Sequence, residues 1–144
     1  MRTQIYSSSG AVIEPKEGGS CQITVTLYDA SGNALTKAEI STLTVSLYNA
    51  EDNAIINSRN AQSVLDANGG LVSSGGVLTL ALLPSDNIIV DSTMEKETHN
   101  LDVNWTWTDI NGLTWTEKEL FFFRVINVPT PLSSPTNPDP GWPS

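Results

Sequence analysis

Apolar and polar residues alternate along this chain in short bursts, the period of two that gives a strand one buried face. The longest burst is Leu101, Val103, Trp105 and Trp107, with Asp102, Asn104, Thr106 and Thr108 between them. Asn111-Gly112 follows. Both residues tolerate the positive φ of a type I′ turn, so the pattern predicts a tight hairpin whose second strand occupies residues 113 to about 128. Three of the four tryptophans and all three phenylalanines fall in this hairpin, which makes it the largest source of burial in the chain. Counted from a two-residue turn, Trp107 faces Thr116, Trp105 faces Lys118, Val103 faces Leu120 and Leu101 faces Phe122. This register puts Leu101, Val103, Leu120 and Phe122 in the core. It leaves Trp115 on the other face, exposed and available for an intermolecular contact. One extra residue in the turn exchanges the two faces.

Upstream, Ile23-Thr-Val-Thr-Leu-Tyr-Asp-Ala-Ser-Gly-Asn-Ala-Leu35 aligns without gaps on Leu43-Thr-Val-Ser-Leu-Tyr-Asn-Ala-Glu-Asp-Asn-Ala-Ile55, twenty residues later. Each copy reads as an amphipathic strand running into a polar turn, with inward faces Ile23/Val25/Leu27 and Leu43/Val45/Leu47. Equivalent strands of one sandwich are favoured over a true duplication, and twenty residues are too short to close a solenoid unit. Further strands are expected at residues 3–7, 12–13, 54–57, 77–83 and 88–90, with one helical turn within 58–68. Strands at this spacing, separated by Gly, Asn, Asp and Ser, predict an all-β fold: an antiparallel, immunoglobulin-like β-sandwich of about seven strands. The term describes architecture only, since a single cysteine cannot bridge two sheets. The domain is expected to span residues 20–128, with an N-terminal arm or edge strand at 1–19.

Residues 129–144, PTPLSSPTNPDPGWPS, carry six of the eight prolines and no apolar period. Such a stretch reads as an extended, partly polyproline II arm rather than core. Trp142 is unusual in a solvating tail, so Pro131, Pro135, Pro138, Pro140 and Trp142 join Trp115 as candidate partner contacts, the prolines lowering the cost of ordering and the indole providing an anchor.

Composition narrows the function. Sixteen acidic against seven basic side chains give a net charge of −9, which argues against a nucleic-acid partner, since phosphate binding needs clustered Lys and Arg. No apolar stretch approaches a membrane span and the first residues lack a secretory apolar region, so neither a membrane partner nor an export signal is expected. Cys21, at the start of a strand, reads as a small buried or edge thiol. His99, the one histidine, reads as a hydrogen-bonded structural residue rather than a base or ligand. Asp29 to Asn33 and Glu51 to Asn53 superficially suggest calcium loops but lack the ligand spacing; turn chemistry explains them. No catalytic motif is present, and the expectation is a non-enzyme without metal or cofactor.

The text also resembles small structural proteins of tailed bacteriophages. The shared pattern comprises Leu47, Tyr48, Ala50, Ile56, Ser58 and Arg59; then Gly76, Leu78, Leu83, Pro84 and Asp86; then His99, Phe123, Val125 and Asn127. It covers residues 20 to 128. The resemblance implies an immunoglobulin-like virion protein, assembled in the host cytoplasm as a homo-oligomer or part of a larger assembly. Its partners would be the major capsid protein, as a decoration or cement protein, or neck and tail subunits. The rival expectation is a carbohydrate-binding or adhesin-like module presenting Trp115; a hydrolase accessory domain is a third.

Overall fold

A computed structural model describes residues 3–4, 13–91, 93 and 95–128. They form eight strands: β1 (Thr3–Gln4), β2 (Cys21–Thr26), β3 (Ile40–Asn49), β4 (Gln62–Ser63), β5 (Gly70–Val72), β6 (Val77–Leu82), β7 (Lys96–Thr108) and β8 (Thr114–Ile126). One sheet has the order β1-β8-β7-β3-β4 and the other β2-β6-β5. All pairings are antiparallel except β1 on β8. Only two short 3-10 turns, Lys37–Glu39 and Pro84–Asp86, interrupt the strands, with no α-helix among the described residues.

Alternation builds the core. Ile23, Val25, Leu78, Leu80 and Leu82 from the smaller sheet meet Leu43, Val45, Leu47, Leu101, Val103 and Trp105 from the larger one in a single buried cluster. The result is an all-β fold of two antiparallel sheets enclosing one apolar layer, the arrangement of a β-sandwich. The two repeat copies lie in opposite sheets, and their expected inward faces are buried. Their turns differ by one residue: Tyr28 bridges Ala34, whereas Tyr48 bridges Ile55.

The hairpin forms, but its register is not the expected one. Trp107 faces Trp115, Trp105 faces Glu117, Val103 faces Glu119 and Leu101 faces Phe121. The cause is the turn. Asp109 N–H donates to the Leu113 carbonyl, and Gly112 N–H donates back to the Asp109 carbonyl. The Asp109 carboxylate also accepts the N–H groups of Asn111 and Leu113, at 2.8 and 2.9 Å. Gly112 has φ of 80°, but Asn111 stays out of the left-handed region. This is a three-residue loop closed by a glycine bulge, not a two-residue type I′ turn. The slip moves Leu120 and Phe122 to the half-buried outer face and brings Phe123 and Val125 into the core beside Leu101 and Val103.

Three smaller expectations also fail. Residues 54–57 give a single bridge, at Ile55. Residues 58–68 contain no helical turn; Asn57, Ser58, Ala61, Asp66 and Asn68 all take positive φ and hold an irregular loop with the short strand β4 inside it. Residues 88–90 form no strand; the Glu97 carboxylate takes the Val90 and Asp91 N–H groups that a neighbouring strand would otherwise satisfy. In the N-terminal region, Ile13 is not in a strand, and Val12 lies outside the described residues.

Two glycines test how tightly the loops are built. Gly76 has φ of 77°, and a Cβ there would sit 1.9 Å from the Leu35 carbonyl oxygen. Gly112 has a similar φ of 80° but nothing within 4 Å. Gly112→Ala should therefore cost about 1 kcal/mol, the strain of a left-handed alanine alone. Gly76→Ala should cost distinctly more, about 3 kcal/mol, because backbone must also move. Chemical denaturation of both variants measures the difference, and equal losses would contradict the close approach at Gly76.

Candidate functional site

The β7–β8 turn carries three of the exposed large apolar side chains: Ile110, Leu113 and Trp115. Trp107 is buried, and Trp115 stacks on it with ring centroids 5.9 Å apart and planes 18° from parallel. Trp115 remains 44% exposed, Leu113 57% and Ile110 99%. The Trp115 indole N–H donates to Asp109 Oδ2 at 2.9 Å, so the carboxylate that sets the turn also fixes the exposed ring. These hydrogen bonds hold the Asp109 carboxyl below its usual range, the Trp115 bond contributing most. The tip is thus a preorganised apolar surface: one aromatic held by a stack and a hydrogen bond, beside two aliphatic groups.

Trp115 is exposed as expected, yet it reaches that position on the core-side face, beyond the last residue that the smaller sheet covers. Pro131, Pro135, Pro138, Pro140 and Trp142 lie outside the described residues. Ile110 lies in the turn, where backbone propensity alone does not mark a contact residue, and Leu113 was expected as the first residue of the second strand. An isoleucine in the middle of a polar turn was the available signal.

Arg59, Asp86 and His99 are used internally. Arg59 is 4% exposed and Asp86 is fully buried. Arg59 Nε and Nη2 donate to the two Asp86 oxygens at 2.6 and 3.1 Å. Arg59 Nη1 donates to Gln62 Oε1 and to the Asn68 carbonyl, while Asp86 also accepts from Asn57 Nδ2 and Leu83 N–H. Burial pushes the Asp86 pKa up, but the Arg59, Asn57 and Leu83 hydrogen bonds with the Arg59 charge more than reverse this, leaving it lowered. One ion pair therefore ties the strained 57–68 loop to the turn after β6.

His99 and Glu97 form a second buried pair, with Nε2 to Oε1 at 2.7 Å. Glu97 anchors the preceding loop through the Val90 and Asp91 N–H groups, each at 2.8 Å. The His99 ring meets Phe123 edge-on, and Nδ1 is buried without a partner. A neutral ring with its proton on Nε2 fits these contacts. Burial pushes the His99 pKa down, against the pull of the Glu97 hydrogen bond and charge. Glu97 borders an open cleft of about 360 Å³ whose lining includes Asn49, Glu51, Asp91 and Lys96; Lys96 also reaches Glu14 at 3.4 Å.

Other candidates resolve into local bonding. The Asp29 carboxylate accepts Ser31 and Asn33 N–H groups at 2.9 and 3.0 Å, repeating the Asp109 turn, with Gly32 at φ of 85°. Cys21 lies on the edge strand β2, and burial raises its thiol to about 11. Among the described residues no group of three or more His, Cys, Asp or Glu side chains is placed to hold a metal ion, and no helix is long and apolar enough to cross a membrane. No protein-family model, curated protein or solved structure matches this chain.

Both buried pairs have measurable consequences. Arg59→Met should destabilise the fold by about 3–5 kcal/mol, since it strands a buried carboxylate. Lowered affinity of the folded His99 for protons means that the unfolded chain binds the proton first as pH falls below about 6.5. Stability is therefore full above that value and declines on acidification through it. His99→Gln should remove this decline between about pH 7 and pH 5.5; denaturation across that range, showing the same slope in both proteins, would refute the assignment.

Proposed function

We propose that this chain is a non-enzymatic structural protein of a tailed-bacteriophage virion, an immunoglobulin-like sandwich that decorates or cements the capsid. The hairpin tip carries this reading. Isolated apolar side chains on a surface are ordinary, but Ile110, Leu113 and Trp115 are exposed together within six residues of one turn, the kind of side chains around which interfaces concentrate their energy. Asp109 and Trp107 hold Trp115 in place before any partner arrives, which reduces the ordering cost of docking. The residues shared with phage structural proteins support the reading in another way. Arg59 with Asp86, Gly76, and His99 with Phe123 each hold one loop or strand to another. A pattern made of internal fastenings describes a scaffold, leaving turns and arms to make attachments.

Neck or tail subunits are the alternative partners on the same scaffold. A carbohydrate-binding module is the second reading, favoured by Trp115, the exposed and immobilised indole among the described residues, since sugars stack on such faces.

Co-sedimentation of the full chain with capsids separates these readings. Ile110→Ser combined with Trp115→Ala should reduce occupancy on particles about tenfold or more, the loss expected for anchor residues, while the domain stays folded at the assay temperature despite the lower melting temperature that loss of the Trp107 stack brings. Deleting residues 129–144 should leave the domain folded and also weaken attachment. Glycan-dependent quenching of tryptophan fluorescence without particle binding would favour the carbohydrate module instead.

A further inference from the structure

Among the described residues, β8 has a neighbour on both sides over only part of its length. β7 pairs with all of it, but β1 reaches only Phe121 and Phe122, and Lys16 bridges only Ile126. Among the described residues, the stretch from Thr114 to Leu120 has no strand on its outer side. The hydrogen bond from Asp109 N–H to the Leu113 carbonyl fixes which groups point outward. In an antiparallel ladder the bonding direction alternates, so Thr114, Thr116, Lys118 and Leu120 turn their N–H and C=O groups away from β7. Such a row is a template for an added strand.

The side chains select the partner. Glu117 and Glu119 stand opposite Trp105 and Val103 on one face, about 7 Å apart along the strand. Trp115 precedes them on the same face. Glu119 accepts the Tyr28 hydroxyl, and neither glutamate belongs to an ion pair among the described residues. A second copy of the chain is a poor occupant. Antiparallel pairing centred on Glu117 or Lys118, near the middle of the open stretch, sets Glu117 against Glu117 or Glu119, and like charges placed directly opposite are destabilising.

We propose that the outer edge of β8 captures an extended basic segment of a partner protein, with Lys or Arg at alternate positions facing Glu117 and Glu119. The stem or charge of a further basic side chain lies on Trp115, as cations do on indole faces. This rests on the reading of the hairpin as a docking element and names the chemistry of what docks; it does not depend on the partner being a capsid protein. The competing role for these charges is protection of a free edge against aggregation, which requires no partner.

The test titrates the full chain with an acetylated peptide alternating threonine and lysine, followed by amide chemical shifts and calorimetry. Binding should perturb residues 114–120 and weaken as salt is raised. The Glu117→Lys, Glu119→Lys double variant should bind about tenfold more weakly, the effect of two lost exposed pairs and two new repulsions. Because Glu119 also holds Tyr28, Glu117→Lys alone should shift affinity in the same direction with the fold undisturbed. Thr116→Pro, which deletes an outward N–H and no charge, and a backbone N-methylated peptide should each abolish binding. No binding of the lysine peptide, equal binding of a glutamate peptide, or equal binding of the N-methylated one overturns the proposal. If any of these occurs while the Ile110 and Trp115 substitutions still release the protein from particles, docking at the hairpin stands and the basic-strand partner falls.

Discussion

Side chains alternate along a strand, so a turn that is one residue longer or shorter inverts every residue beyond it. In this protein the Asp109 turn carries that decision for the whole aromatic hairpin. Its carboxylate receives two backbone N–H groups and the Trp115 indole, and Gly112 alone adopts the left-handed conformation. Trp105, Phe123 and Val125 consequently share one buried face. Trp105 then joins the two sheets directly, donating its indole N–H to the Tyr28 carbonyl at 3.0 Å while Tyr28 packs edge-on against it. Had the turn closed on Asn111-Gly112, Leu120 and Phe122 would point inward, and Glu117 and Glu119 would point outward.

The same constraint shapes the surface. Because β7 and β8 are each 13 residues long and the smaller sheet is short, the inward face of β8 continues beyond its cover. There it changes character, from Val125 and Phe123 through Phe121 to Glu119, Glu117 and Trp115. Apolar side chains give way to acidic ones and an exposed indole along one strand, with no change of backbone. On the outer face of the larger sheet, hydroxyl pairs such as Thr42 with Thr106, at 2.7 Å, tie neighbouring strands together, and Leu120 and Phe122 of β8 lie half-buried on the same face.

Strand positions were legible because burial on one face leaves a period of two, as at Ile23, Val25 and Leu27 or at Leu101 and Val103. The register was not. Asn111-Gly112 is a strong two-residue turn signal, and it was outcompeted by an aspartate two positions earlier whose side chain bonds the turn from within. The loops at 57–68 and 88–91 were illegible for a different reason. Their conformations depend on Arg59 meeting Asp86 and on Glu97 turning its carboxylate inward, contacts between distant or superficially solvent-seeking residues. At the tip, Trp115 was identifiable as an exposed aromatic, whereas Ile110, Leu113 and the acidic edge emerged only once the register was known. Pro131, Pro135, Pro138, Pro140 and Trp142 lie beyond the described residues, so the proposed arm rests on its sequence.

Core composition, the unroofed edge and the anchored tip all follow from one pairing, and cross-strand proton contacts read that pairing directly. Hα–Hα nuclear Overhauser effects are strongest between antiparallel residues that do not hydrogen-bond to each other, which approach to about 4.5 Å between Cα atoms. The Asp109-set register predicts them between Thr106 and Thr116 and between Asn104 and Lys118. Contacts between Trp107 and Thr116, or between Trp105 and Lys118, would show that the turn closes on Asn111-Gly112 and would contradict the placement of every side chain on β8.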